Sequence, residues 1–134
     1  MTESNLEACL QAVGEAIVRE IDGDPDGAFL YAEVESGTVY EALFLGRGDG
    51  VEWIDASDAL SEVVLDVWHA CEAEKAWATL CYVISGKAFD ASFQYPDEIS
   101  EEEGPEERRR RVLKARYGDK PIKYPPPPED AMEL

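Results

Sequence analysis

The sequence predicts a single α+β domain, an antiparallel sheet of about five strands packed with an N-terminal helix, a middle helix and a C-terminal helix. Three observations lead there. Alternating apolar and polar stretches come in pairs joined by short glycine-containing turns. Other stretches repeat their apolar residues at three- and four-residue steps. In order these read helix, two strands, a short strand, helix, two strands, helix, with no internal repeat. At 134 residues the chain is long enough to bury one real core and too short for two.

The clearest pair is WATLCYVISGKAFDASFQY, residues 77 to 95. Before the turn, Ala78, Leu80, Tyr82 and Ile84 alternate with Trp77, Thr79, Cys81 and Val83, so both faces are apolar, as in a central strand. After it, Phe89, Ala91, Phe93 and Tyr95 alternate with Ala88, Asp90, Ser92 and Gln94, as in a half-buried strand. Gly86 supplies the positive φ of the hairpin turn.

Upstream, Leu6, Leu10, Val13, Ile17 and Ile21 form one stripe of a helix over residues 3 to 21. DGDPDG, residues 22 to 27, ends it. Asp22, Asp24 and Asp26 alternate as in a calcium loop, but position twelve of that motif would be Glu33, inside a strand pattern, and no second helix follows; a plain acidic connector is the better reading. A second hairpin follows. Leu30, Ala32 and Val34 share one face of its first strand, with Phe29, Tyr31, Glu33 and Glu35 on the other. In its second strand Val39, Leu43 and Leu45 share a face with Glu41. GRGDG turns the chain into a short strand over residues 51 to 54, and its glycines lack the lysine and the strand-to-helix setting of a phosphate loop.

Ser57 or Asp55 is expected to cap the middle helix, which buries Leu60, Val63, Val64, Val67, Trp68 and Cys71 and runs to about residue 75. An acidic linker leads to Pro105 at a first helical position, a basic helix, and Gly118 to close it. Residues 1–118 thus form the domain, and the proline-rich residues 119–134 an extended or disordered tail.

The charge is unusual. There are 12 basic and 30 acidic residues, a net of −18. Residues 1 to 104 hold 24 acidic and 4 basic side chains (net −20), and residues 105 to 134 hold 6 and 8 (net +2). Such a surface repels nucleic acid and anionic membrane and attracts basic partners. No apolar run approaches the roughly 20 residues of a membrane span, no N-terminal signal is visible, and a cytoplasmic protein is expected. Cys9, Cys71 and Cys81 are odd in number and widely spaced, so neither a disulfide framework nor a zinc site is suggested.

No catalytic, cofactor-binding or metal-binding residue is expected. His69 and Cys71 are close in sequence, but two residues apart on a helix they point about 200° apart and cannot form a dyad. With so many acids, chance carboxylate pairs such as Asp55 with Asp58 carry no weight. The run Arg108 to Arg111 reads as pairing with the acidic body rather than as a phosphate site. The remaining candidate is a partner-binding surface: Glu33, Glu35 and Glu41 on the first hairpin, with Asp55, Asp58 and Glu62 at the start of the middle helix, converging on one side of the sheet, and Trp53 as an aromatic anchor. Its competitor is a diffuse acidic coat that only maintains solubility.

The N-terminal amphipathic helix, FLYAEVESGTVY (29 to 40), the acidic middle helix, WATL (77 to 80), GKAFDASFQYPD (86 to 97) and the helix ending in RYG (116 to 118) occur in an order that resembles the YezG-like immunity (antitoxin) proteins of bacterial polymorphic toxin systems. The resemblance covers about residues 3 to 121 and rests on strand and turn phrases rather than catalytic signatures. It implies a non-catalytic α+β protein that binds and neutralises a cognate toxin, often a nuclease; independently, the acidic charge would suit the basic groove in which a nuclease holds phosphates. The alternative is a small ligand-binding or enzymatic domain with a pocket between sheet and helices around Tyr82, Asp90 and Tyr95.

Overall fold

A computed structural model describes residues 2–21, 24–35, 38–47, 50–54, 57–100, 102–118, 120 and 122–123. The elements are α1 (Thr2–Glu20), β1 (Ala28–Glu35), β2 (Thr38–Arg47), β3 (Gly50–Ile54), α2 (Asp58–Lys75), β4 (Thr79–Ser85), β5 (Ala88–Gln94), α3 (Pro105–Tyr117) and β6 (Ile122–Lys123). The predicted α+β class holds: β1 to β5 form an antiparallel sheet, with the three helices where the periodicities put them. The sheet order is β5-β4-β1-β2-β3-β6, and β6, in the segment expected to be extended, runs parallel to β3. Residues 124–134, with their prolines, lie outside the described residues.

Strand register divides the side chains between two faces. Leu30 sits opposite Leu43 and Tyr82, and Ala32 opposite Glu41 and Leu80, so these residues share the face toward α1 and α2. There they meet Val13, Ile17, Leu60, Val64 and Val67 in the larger core. Phe29, Phe44 and Trp53 align across β1, β2 and β3 on the other face, where Val112, Leu113 and Tyr117 of α3 join them. β4 is interior, as its two apolar faces imply, but the most enclosed strand is β1, buried from Ala28 to Val34 because helices cover both its sides.

The connections follow from local chemistry. Gly86 turns the β4–β5 hairpin with φ 61°, and Gly118 ends α3 with φ 63°, its N–H donating to the Lys114 carbonyl at 2.8 Å. The loop read as a plain acidic connector serves as a set of turn caps where it is described: Asp24 Oδ1 accepts the Asp26 N–H and Asp26 Oδ1 accepts the Gly86 N–H. Asp22 lies outside the described residues. Ser57 occupies the N-cap of α2 but makes no side-chain cap bond. Its N–H and Oγ instead both donate to Glu20 Oε1, which ties the end of α1 to the start of α2. Among the described residues no helix is long and apolar enough to cross a membrane.

Candidate functional site

The acidic set expected to converge is split by the sheet. Glu33 pairs with Tyr40 and Glu41 with Ala32, so with alternating side chains Glu33 and Glu41 lie on opposite faces. Glu35 falls on the Glu33 face and is exposed at the strand end. Trp53 is on that face too, 5.1 Å from the Phe44 ring and covered by the Arg109 guanidinium at 4.6 Å, so it packs under α3 instead of standing out as an anchor. Asp55 lies outside the described residues.

Glu33 itself is withdrawn from the surface, at 5 % exposure. Arg108 grips it with two parallel bonds, Nε to Oε2 at 2.9 Å and Nη2 to Oε1 at 2.7 Å. The Tyr31 hydroxyl donates to Oε2 at 2.5 Å. The remaining Arg108 nitrogen donates to the Ser100 carbonyl at 3.1 Å and to the Glu103 carbonyl, so the acidic linker serves as a backbone cradle. The bond to Glu33 holds the Arg108 pKa above its ordinary value, and burial, with the Glu33 bond behind it, pushes Tyr31 far up. Arg111 pairs with Glu103 at 2.8 Å at the surface. Two of the four arginines of the run, Arg108 and Arg111, thus pair with acids of the body, while Arg109 lies on the Trp53 ring.

On the other face Glu41 lies near enough to Glu20 and Asp58 for their charges to act on it, and Glu62 follows Asp58 one turn along α2. Asp58 and Glu62 are exposed one turn apart on the first turns of α2, where negative charge suits the helix dipole. Ser61 Oγ donates to Glu41 Oε1, while Glu41 Oε2 is buried with no hydrogen-bond partner. Burial raises the Glu41 pKa, the Ser61 bond opposes it, and the charges of Glu20 and Asp58 raise it further. None of the four carboxylates makes an ion pair among the described residues. Glu20 escaped sequence reasoning because it ends a helix far from the first hairpin in sequence; its only signal was an acid where a helix C-terminus disfavours one.

The residues weighed for catalysis do not assemble. His69 is exposed with its ring 5.4 Å from that of Trp68, and Cys71 packs against the larger core. Asp90 pairs with Val83 and Tyr82 with Ala91, so Asp90 and Tyr82 face opposite ways and Asp90 does not share the Tyr82 side of the hairpin. Among the described residues no group of three or more His, Cys, Asp or Glu side chains could hold a metal ion.

No protein-family model matches this chain, and no curated protein matches it.

Proposed function

We propose that this protein is a non-catalytic, immunity-type inhibitor that binds a basic protein domain, such as a nuclease toxin, through the acidic rim of Glu20, Glu41, Asp58 and Glu62. The observation that carries the reading is charge segregation. The cations of α3 are drawn under and around the opposite sheet face, toward Glu33, Glu103, Trp53 and Phe29. Of the rim carboxylates, Glu20 and Glu41 accept from serine hydroxyls, Asp58 and Glu62 are exposed, and none pairs with a cation among the described residues. An unneutralised acidic edge on a body of net −20 attracts a basic groove from a distance and speeds association at low salt. The resemblance to YezG-like immunity proteins points the same way.

The test is capture of partners on the immobilised protein at low salt, followed by stepwise salt elution and association kinetics with the basic protein that elutes. Reversing Glu20, Asp58 and Glu62 to lysine together should slow association by at least about ten-fold. Glu35→Lys, on the far face, should leave it nearly unchanged. Equal association rates for the triple variant and the parent would remove the rim as the interface, and an eluate free of basic protein would count against the function.

A further inference from the structure

A cleft of about 630 Å³ opens between the C-terminal half of α1 and the β4–β5 hairpin, with none of the four rim carboxylates in its lining. Its size is within the roughly 300–1,000 Å³ of small-molecule sites. The floor is apolar: the partly exposed Phe89 lies over the fully buried Tyr82. Tyr82 and Phe89 stack with ring centroids 5.0 Å apart and planes at 11°, and Ile84 lies beside them. The Tyr82 hydroxyl is spoken for, donating to the Leu10 carbonyl at 2.8 Å. It reaches that carbonyl only because residue 14 is glycine: a Cβ there would lie 2.6 Å from the hydroxyl oxygen. The wall is pinned by the Gly27 N–H on the Ile84 carbonyl at 2.8 Å and the Gly86 N–H on Asp26 Oδ1 at 2.6 Å. Val18, 48 % exposed, forms part of the lip.

The lining of this cleft holds two cations and two acids, a neutral patch on a strongly acidic body. Residues 1 to 104 contain only Arg19, Arg47, Lys75 and Lys87 as basic side chains, and two of these, Arg19 and Lys87, line the cleft. Neither makes an ion pair among the described residues. Of the two acids in the lining, Asp24 already accepts the Asp26 N–H at 3.0 Å, and Glu15, one turn before Arg19, makes no ion pair with it. Two cations without an ion pair among the described residues, beside Phe89 stacked on the buried Tyr82, suit a ligand with an apolar ring and one negative group.

We propose that the cleft is a binding site for a small organic carboxylate on a planar apolar skeleton, its ring system against Phe89, Ile84 and Val18 and its carboxylate toward Arg19 and Lys87. This site is separate from the acidic rim, and its occupancy does not depend on the inhibitor reading. The probe pair is 2-naphthylacetate and its neutral isostere 2-naphthylacetamide, titrated into the intact, ¹⁵N-labelled protein. The carboxylate should shift amide resonances of residues 11–19 and 84–89, and the amide should bind about ten-fold more weakly, a difference of roughly 1.4 kcal/mol. Arg19→Gln with Lys87→Gln, both on exposed side chains, should abolish the preference while leaving the amide's affinity unchanged. Val18→Trp should fill the lip and weaken both probes, with the remaining spectrum preserved because Val18 is half exposed. Equal binding of acid and amide, shifts scattered outside the cleft, or no shifts up to millimolar probe would each overturn the proposal.

Discussion

Toward α1 and α2 the sheet turns Leu30, Leu43, Leu80 and Tyr82 onto Val13, Ile17, Leu60 and Val64, an interior made almost wholly of carbon. Toward α3 it turns Phe29, Tyr31, Phe44 and Val51 onto little more than Val112, Leu113 and Tyr117. Guanidinium groups close the gap on that side: Arg108 on Glu33, Arg109 on Trp53, and Arg116 on Phe29 at 5.1 Å. The first interior is held by area and shape, which are non-directional. The second depends on a bidentate pair with one satisfactory geometry. The contrast explains how PEERRRRVLKARY can pack as a helix without an apolar stripe: arginine stems cover the aromatic surface while their heads find carboxylates, carbonyls and rings.

The largest expected effect tests that contrast directly. Glu33→Ala leaves Arg108 buried without its carboxylate, and should cost about 3–5 kcal/mol in urea unfolding. Replacing both partners, Glu33→Leu with Arg108→Met, should recover most of that loss, because two well-packed apolar groups need no pairing. A cost below about 1 kcal/mol for Glu33→Ala would mean that α3 is closed by its apolar contacts alone and the two faces are not so different.

These two faces also differ in how far they could be read in advance. Leu6, Leu10, Val13 and Ile17, and likewise Leu60, Val64 and Val67, place α1 and α2 because helical periodicity survives in one dimension. The hairpins were legible for the same reason. Even the parity of Glu33 and Glu41 was present, since Glu41 keeps company with Leu43 and Leu45 while Glu33 alternates with Leu30 and Val34. What it lacked was the register Ala32 to Glu41, which turns two separate parities into opposite faces. The partner of Arg108 was out of reach altogether, being one of 30 acids and 75 positions away. The acidic rim was half legible: Asp58 and Glu62 sit together by helix spacing, but Glu20 arrives from α1 through tertiary packing.

A smaller effect probes the carbon-rich face, where one polar contact is embedded. Gly14 sits mid-helix in α1, at an intrinsic cost of about 1 kcal/mol relative to alanine, to make room for the Tyr82 hydroxyl. Gly14→Ala should therefore destabilise the parent by breaking the bond to Leu10, by roughly 1 kcal/mol net of the propensity gain. In a Tyr82→Phe background the nearest ring atom would lie 3.6 Å away, an ordinary contact, and the same substitution should stabilise by up to about 1 kcal/mol. The reversal of sign, measured as a double-mutant cycle, is the signature; same-sign effects in both backgrounds would place the function of Gly14 elsewhere.

The smallest expected effect concerns the edge where the carbon-rich face meets solvent. Glu41 has its pKa raised, chiefly by burial, from an ordinary 4.5. Between 4.5 and that raised value the folded chain binds more protons at Glu41 than the unfolded chain does, so this contribution to stability is full below 4.5 and is lost as pH rises through the window. Above that window the ionised Glu41 therefore weakens the fold. Glu41→Gln keeps an acceptor for Ser61 and removes the charge, and should stabilise above the window by about 0.5 kcal/mol once solvent screening is allowed for, with the gain vanishing below pH 4.5. A pH-independent gain would trace instead to packing. A basic partner seated on the rim would relieve the repulsion among Glu20, Glu41 and Asp58, so the same substitution that helps the free protein should slightly weaken the complex. Opposite signs in the free and bound states would separate a binding surface from a coat of charge that merely keeps the protein in solution.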